Sequence, residues 1–356
     1  MAARTDSYPA ASPQLDWASA ILGFAFMCGL IGDGWSHAHY VSDSYFTPAH
    51  AIFFSAFTLL AAVTIVTGIR NRGRGYPWSR MLPRGYTPSF WAALLFFPGI
   101  PADLTWHLIA GPEKSLAVLL SPTHLYLAIC IAVMMTGPLR AALAAPPRPK
   151  LTSQLPMLIS LCAFFMLLEF FTQYAFAFDA GFSRAMAPAG YNDVDRSGNM
   201  AQIVNVFYRQ IEGLFAVFVH AILIAGIVVF LARSFRLAFG AFTLLFTIGI
   251  GTMAAMTAND PTTYLVNLID GLLTGAIADA LYMMMRPANA VGTFRAFATA
   301  VPAIHFALFW LLESAIAGGT WWQPNLVLGC IVIPAFIGLL LSVIASPPSQ
   351  AAISTA

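Results

Sequence analysis

Charge is what this chain has least of. Lysine, arginine, aspartate and glutamate together make up 9% of its 356 residues, against roughly 25% in a soluble globular domain. That shortage excludes an ordinary water-soluble domain. Cysteine is also rare. Cys28, Cys130, Cys162 and Cys330 stand alone in apolar runs, so the chain has no disulfide framework and no CxxC pair for a thiolate metal site. They are expected to pack as small buried apolar side chains. The net charge is only +2, and no basic run follows a phosphate backbone, which excludes a nucleic-acid partner. A cleavable leader is not expected, because residues 1–16 are polar and contain proline and the first apolar run leads into a polar motif instead of a small-residue cleavage site.

Apolar residues fill the space that charge leaves. The hydrophobic share is 59% and the mean hydropathy +0.76. A spanning helix takes about 20 apolar residues. On that measure the sequence predicts an all-α polytopic membrane bundle of about ten spans, near 17–38, 48–70, 88–110, 120–141, 151–178, 201–232, 235–257, 262–286, 293–317 and 323–346. Several starts pair a capping oxygen with proline: Thr47-Pro48, Thr87-Pro88, Ser121-Pro122 and Asp260-Pro261. The oxygen accepts from a free amide of the first turn, and the fixed φ of proline suits the first helical position. Residues 1–145 are expected to hold tandem helical hairpins, 146–346 a second transmembrane half, and 347–356 a small, polar, disordered tail.

The basic residues orient these spans. Arg70, Arg72, Arg74, Arg80 and Arg84 fall between the second and third spans, and Arg140, Arg148 and Lys150 between the fourth and fifth. Arg233 and Arg236, then Arg286 and Arg295, continue the pattern, whereas the alternate loops hold only Lys114, Arg184 and Arg196. Positive charge collects on the cytoplasmic side. Both termini are therefore expected in the cytoplasm, and the membrane reads as a bacterial cytoplasmic membrane. Loops 39–46, 111–119, 179–200, 258–261 and 318–322 then face outward, and 179–200 is long enough to act as a lid.

Two polar clusters interrupt the apolar background. Asp33 and His37 close the first span, and His50 follows the Thr47-Pro48 start of the second. Asp103 and His107 close the third, and His124 follows the Ser121-Pro122 start of the fourth. Residues four apart on a helix share a face, so each Asp–His pair points at one spot and the next helix adds a histidine. Two imidazoles and a carboxylate suit a first-row metal such as copper, zinc or iron. Ionisable groups in a span cost about 2.5–3.5 kcal/mol each even on lenient scales, and a metal compensates. A proton relay or structural interhelical pairs would also account for the residues. His39 and Asp43 are candidate outer partners of the first cluster. Trp35 and Trp106 suit an interfacial belt or the packing around a site.

The stretch D-G-W-S-H…D-S-Y-F-T-P-A-H, from Asp33 to His50, resembles the metal-binding stretch of the C subunit of copper membrane monooxygenases, the particulate methane and ammonia monooxygenase family. The resemblance places Asp33, His37 and His50 on three ligand positions, with Asp43, Phe46, Thr47 and Pro48 matching the run before the last of them. Asp103, His107 and His124 resemble the family's neighbouring second site, with Asp in place of an amide residue and a longer spacing to the last histidine. Similarity covers roughly residues 20–130. It implies copper, dioxygen chemistry and a small apolar substrate. A metal transporter and a zinc-dependent membrane hydrolase are the alternative functions. The expected partners are the lipid bilayer, a small apolar substrate, and further copies of the chain or other membrane subunits.

The second half carries no such motif. Glu169 and Gln173 stand four apart, and Asn205, Arg209, Glu212 and His220 follow on the next span. Arg209 and Glu212 are expected to pair. Asp270, Asp279 and His305 are expected to be interhelical partners or to line a polar path; a metal site there is the lesser reading.

Overall fold

The computed structural model describes residues 7–10, 12–39, 47–110, 119–175, 200–258 and 260–346. The described residues form eleven α-helices, two short 3-10 turns and no strand. They divide into two compact units, Met1–Phe171 and Thr172–Ala356.

Unit 1 contains α1 (Pro13–Ala38), α2 (Pro48–Gly73), α3 (Thr87–Ala110), α4 (Pro122–Met135), α5 (Gly137–Leu143) and α6 (Leu151–Phe171). α1 packs on α2, α3 on α4, and α2 on α3, while α6 packs along α1. The sequence places a boundary at 145/146; the units divide after α6 because α6 is part of the α1 packing. α2 and α3 run antiparallel: Phe57 stacks on Phe96 with centroids 4.0 Å apart, and a Cβ on Gly68 would lie 3.3 Å from the Phe90 ring.

Unit 2 contains α7 (Met200–Ser234), α8 (Ala241–Thr257), α9 (Pro261–Met285), α10 (Val291–Ile316) and α11 (Pro324–Ala345). α8 packs on α9, α9 on α10, and α7 on both α10 and α11. Gly271 and Gly275 let the α8 backbone approach closely, since a Cβ on Gly275 would come within 2.5 Å of the Thr243 Cα. Small residues four apart commonly line such membrane contacts.

Eight of the described helices are long and apolar enough to cross a membrane, namely all but α4, α5 and α8. α4 and α5 together pass the same test, but the pair is bent by 47°. The chain reads as a helical integral membrane protein on this ground. α8 has 17 residues, about 26 Å of helix, slightly short of the roughly 30 Å hydrocarbon core.

The bend has a chemical cause and a chemical remedy. Pro138 has no amide to give the carbonyl of Met134 four residues back. Ser89 donates to that carbonyl at 3.1 Å, and Ser160 donates to the Met135 carbonyl at 2.7 Å. Arg140 donates to Val133 O at 2.8 Å, to Gly85 O at 2.8 Å and to Ser89 Oγ at 2.7 Å. An arginine that looked like a loop charge is thus a clamp on a broken helix.

Three of the four expected caps form. Thr47 and Ser121 accept from the amides of His50 and His124, and Asp260 accepts from Thr262 and Thr263 at 2.9 Å. Thr87 instead begins α3, and its hydroxyl donates to the Ser79 carbonyl at 3.4 Å. Ser12, not singled out in the sequence, caps α1. Cys130, Cys162 and Cys330 are buried as expected, but Cys28 is exposed, because it lies on the face of α1 turned away from Met27 and Gly29.

Candidate metal centre

Each cluster is built where one helix ends and the next begins. α1 delivers Asp33 and His37 on successive turns, and His50 enters from the third helical position of α2. Asp33 Oδ2 lies 3.8 Å from His37 Nε2, and Asp33 Oδ1 lies 3.6 Å from His50 Nδ1. In the second hairpin, Asp103 Oδ2 lies 3.6 Å from His107 Nε2, and Asp103 Oδ1 lies 3.3 Å from His124 Nε2. All six residues predicted from the sequence are therefore brought together in threes.

Both groups lie at the same end of unit 1. Phe57 stands two turns along α2 from His50, and Phe96 stands two turns along α3 before Asp103. Because Phe57 and Phe96 stack and the helices are antiparallel, each group extends about 10 Å beyond this common contact.

The two groups differ in readiness for a metal. Among the described residues, Asp103, His107 and His124 form the one group of three whose donor atoms all lie within 4.8 Å of one another. Donors on a tetrahedral ion with bonds near 2.1 Å would stand about 3.4 Å apart, close to the 3.3 and 3.6 Å observed. Two imidazoles and a carboxylate are a donor set that suits a transition metal. In the first group His37 is 55% exposed, and the His50 Nδ1 that faces Asp33 is also 2.7 Å from Thr47 Oγ1. Among the described residues, this trio does not bring its three donors within 4.8 Å of one another.

A residue that the sequence reading passed over accounts for part of this difference. Thr123 donates to Asp103 Oδ1 at 2.6 Å, holding the carboxylate between the two imidazoles. It occupies the second position of α4, between the proline and the histidine. The equivalent residue of α2 is Ala49, which has no hydroxyl. The signal was present in the comparison of T-P-A-H with S-P-T-H, but it acquires meaning only when α4 lies against α3. Their approach is tight: Tyr126 donates to the Leu95 carbonyl at 2.6 Å.

The outlying candidates take other roles. His39 caps the end of α1, its ring stacked on Trp35 at 4.5 Å and its Nδ1 2.9 Å from the Trp35 carbonyl. Asp43, Phe46, Lys114, residues 179–199 of the expected lid loop and the 347–356 tail lie outside the described residues. Asp16, also not singled out, anchors the opposite end of unit 1. It accepts from the Tyr86 hydroxyl at 2.8 Å and lies 3.5 Å from Arg148. Burial and the Asp16 carboxylate hold the Tyr86 phenol above its ordinary range, so it remains a donor.

In unit 2, Arg209 and Glu212 lie 3.9 Å apart on the exposed side of α7. Asp279 binds the start of α8, accepting from the amides of Phe242 and Thr243 at 3.1 and 3.0 Å and from the Thr243 hydroxyl at 2.7 Å. It works as an N-cap supplied by another helix. Asp270 and His305 meet across α9 and α10 at 2.8 Å. No family model, no curated protein and no solved structure matches the chain.

Proposed function

We propose that this is a copper-binding integral membrane protein, an oxidoreductase of monooxygenase type acting on a small apolar substrate. The observation that carries the reading is the Asp103–His107–His124 group, with three donors at metal-ligand spacing on a motif that recurs at Asp33, His37 and His50. The resemblance of the Asp33–His50 stretch to the copper monooxygenase C subunit favours copper among the metals this donor set accepts.

In this proposal all ten apolar segments cross the membrane, with α4–α5 as one bent span and α8 as a short one. The termini then lie in the cytoplasm and both groups near the outer face. Asp103, His107 and His124 hold one ion; Asp33, His37 and His50 hold a second after His37 turns inward. Bound copper supplies the one-electron chemistry that dioxygen requires, and the chain supplies ligation and an apolar surround. Thr123 keeps Asp103 aimed between its histidines. Leu104, Leu108 and Ile109, all exposed on the last turns of α3, offer an apolar approach from the bilayer. Further copies of the chain or other membrane subunits are the protein partners this reading allows.

A zinc hydrolase is the second reading, and the same geometry favours it: three protein ligands leave a fourth position for water. A metal transporter would need ligands continuing through the membrane, and Asp279, one of the residues such a path would use, is engaged in capping α8.

Metal analysis of the full chain in mild detergent, wild type beside His37→Ala and His124→Ala, tests the proposal. Copper at one or two per chain, reduced in His124→Ala, supports it, and dioxygen uptake with small apolar substrates is the next assay. Zinc at the same stoichiometry transfers the reading to the hydrolase. No bound metal in any of the three after reconstitution would reject both.

A further inference from the structure

Unit 2 contains a second polar constellation, unlike the first in every respect that matters to chemistry. Asp270 on α9 and His305 on α10 have no exposed surface, and His220 on α7 is 1% exposed. The hairpin groups lie at helix ends and are partly open. These three residues lie well inside their helices and are closed off.

The contacts form a line. His305 Nδ1 stands 2.8 Å from Asp270 Oδ2, although that oxygen makes no aligned hydrogen bond. The aligned route passes through Thr274, whose hydroxyl donates to Asp270 Oδ1 at 3.2 Å and stands 3.3 Å from His305 Nδ1. On its other side the His305 ring lies against His220, with centroids 5.6 Å apart and planes within 28°. Phe306 packs edge-on against both imidazoles. The three donor-bearing residues are not a group at metal-ligand spacing.

Ionisable groups inside a span are costly. A merely structural tie between α9 and α10 could be made with a serine or an asparagine, and would need neither a buried acid nor two stacked histidines. We propose that Asp270, Thr274, His305 and His220 form a proton-transfer site, in which a proton moves between His220, His305 and Asp270 inside unit 2. The step is balanced. An imidazolium at His305 gives its Nδ1 proton to the Thr274 oxygen as the Thr274 proton passes to Asp270 Oδ1. One N–H bond and one O–H bond break, two O–H bonds form, and a charged pair becomes a neutral imidazole and a neutral acid. A rotation of the His220 ring or one intervening water then links His220 to His305.

Among the described residues of unit 2, the other charged groups stand turns away along their helices or are engaged elsewhere. α8 and α11 bring no charged residue. On α7 the Arg209–Glu212 pair lies on an exposed surface, and Arg233 lies in the last turn of the helix, thirteen residues after His220. On α9, Asp279 is engaged with the start of α8. On α10, Glu313 lies two turns beyond His305 and Arg295 nearly three turns before it, where it donates to the Ser346 carbonyl. The inference rests on unit 2 alone and does not depend on the metal reading.

Infrared difference spectra of the full chain in lipid vesicles, recorded between mildly acidic and neutral pH, test it. Each variant is first confirmed folded by size-exclusion profile and thermal unfolding. The expected result is a protonated-carboxyl band in the wild type that is absent in Asp270→Asn. Thr274→Val, which keeps the shape of the side chain, should shift that band. His220→Gln should leave its final amplitude intact but slow its appearance several-fold after a pH jump. A wild-type spectrum identical in the carboxyl region to that of folded Asp270→Asn would overturn the proposal, leaving the pair as a structural tie. Unchanged kinetics in His220→Gln would overturn the part assigned to His220.

Discussion

The two hairpins of unit 1 carry the same three ionisable residues, in the same order and at the same end of the structure, yet among the described residues only one of them brings all three donors within 4.8 Å of one another. In α3–α4 the Asp103 carboxylate is held by the Thr123 hydroxyl at 2.6 Å, and both histidines present Nε2 to it. In α1–α2 the residue in the Thr123 position is Ala49, and His50 turns Nδ1 toward Asp33 while that nitrogen also meets Thr47. A ligand set is therefore not a site. One difference between the two is the Thr123 hydroxyl on Asp103, a neighbour without metal chemistry of its own that fixes a ligand's direction.

The comparison can be broken most forcefully at the ligands. His124→Ala removes one of three donors from the formed group, and should weaken metal binding by more than the roughly 10–100-fold typical of outer-shell losses. His50→Ala should do less, since its group is not preassembled. Titrating each variant with the metal and measuring occupancy compares them directly. Equal losses would mean that the hairpins are equivalent in solution. The next largest effect should come from Thr123→Val, which leaves the ligands intact and removes only the hydrogen bond. Its expected cost is about 10–100-fold in affinity. The reciprocal change, Ala49→Thr, sharpens the comparison from the other side. It should bring metal occupancy of the first hairpin closer to that of the second, and an unchanged titration would show that His37 exposure, not Asp33 aim, is limiting.

The smallest effect expected concerns packing. A Cβ on Gly29 would lie 2.7 Å from the Phe53 backbone nitrogen of α2, whereas one on Gly99 would lie 2.6 Å from Leu127 Cδ2 of α4. A helix backbone cannot give way locally; at Gly99 the end of a leucine can, although the Tyr126 ring at 2.9 and 3.0 Å must also shift. Overpacking of this kind costs about 1–3 kcal/mol. Gly29→Ala should fall near the top of that range and Gly99→Ala lower in it, measured as the difference in thermal unfolding temperature of the detergent-solubilised protein.

Much of this molecule was legible in the linear chain. Apolar run length marked the helices because a span must satisfy its own backbone, and the Thr47-Pro48, Ser121-Pro122 and Asp260-Pro261 starts were legible because a cap is a local event. The Asp–His pairs were legible because a four-residue step returns to one helix face. The 47° bend between α4 and α5 was not, since Pro138 also fits an unbent helix end; the donors that make the break tolerable, Ser89 and Ser160, come from other helices. Nor was the role of Asp16, whose partners Tyr86 and Arg148 are remote in sequence.

What the sequence by itself determined is therefore local: a charge-poor helical chain built for a bilayer, with two Asp/His motifs spaced to share helix faces. The tertiary structure decided which hairpin brings its three donors closest together, that Asp279 caps a neighbouring helix, and that Asp270, Thr274, His305 and His220 meet in one closed line. The physical reason is range. Helix periodicity and capping act over a few residues and can be read along the chain. The direction of a side chain is set by whichever atoms another helix brings within about 3 Å, and that is known only once the helices have packed.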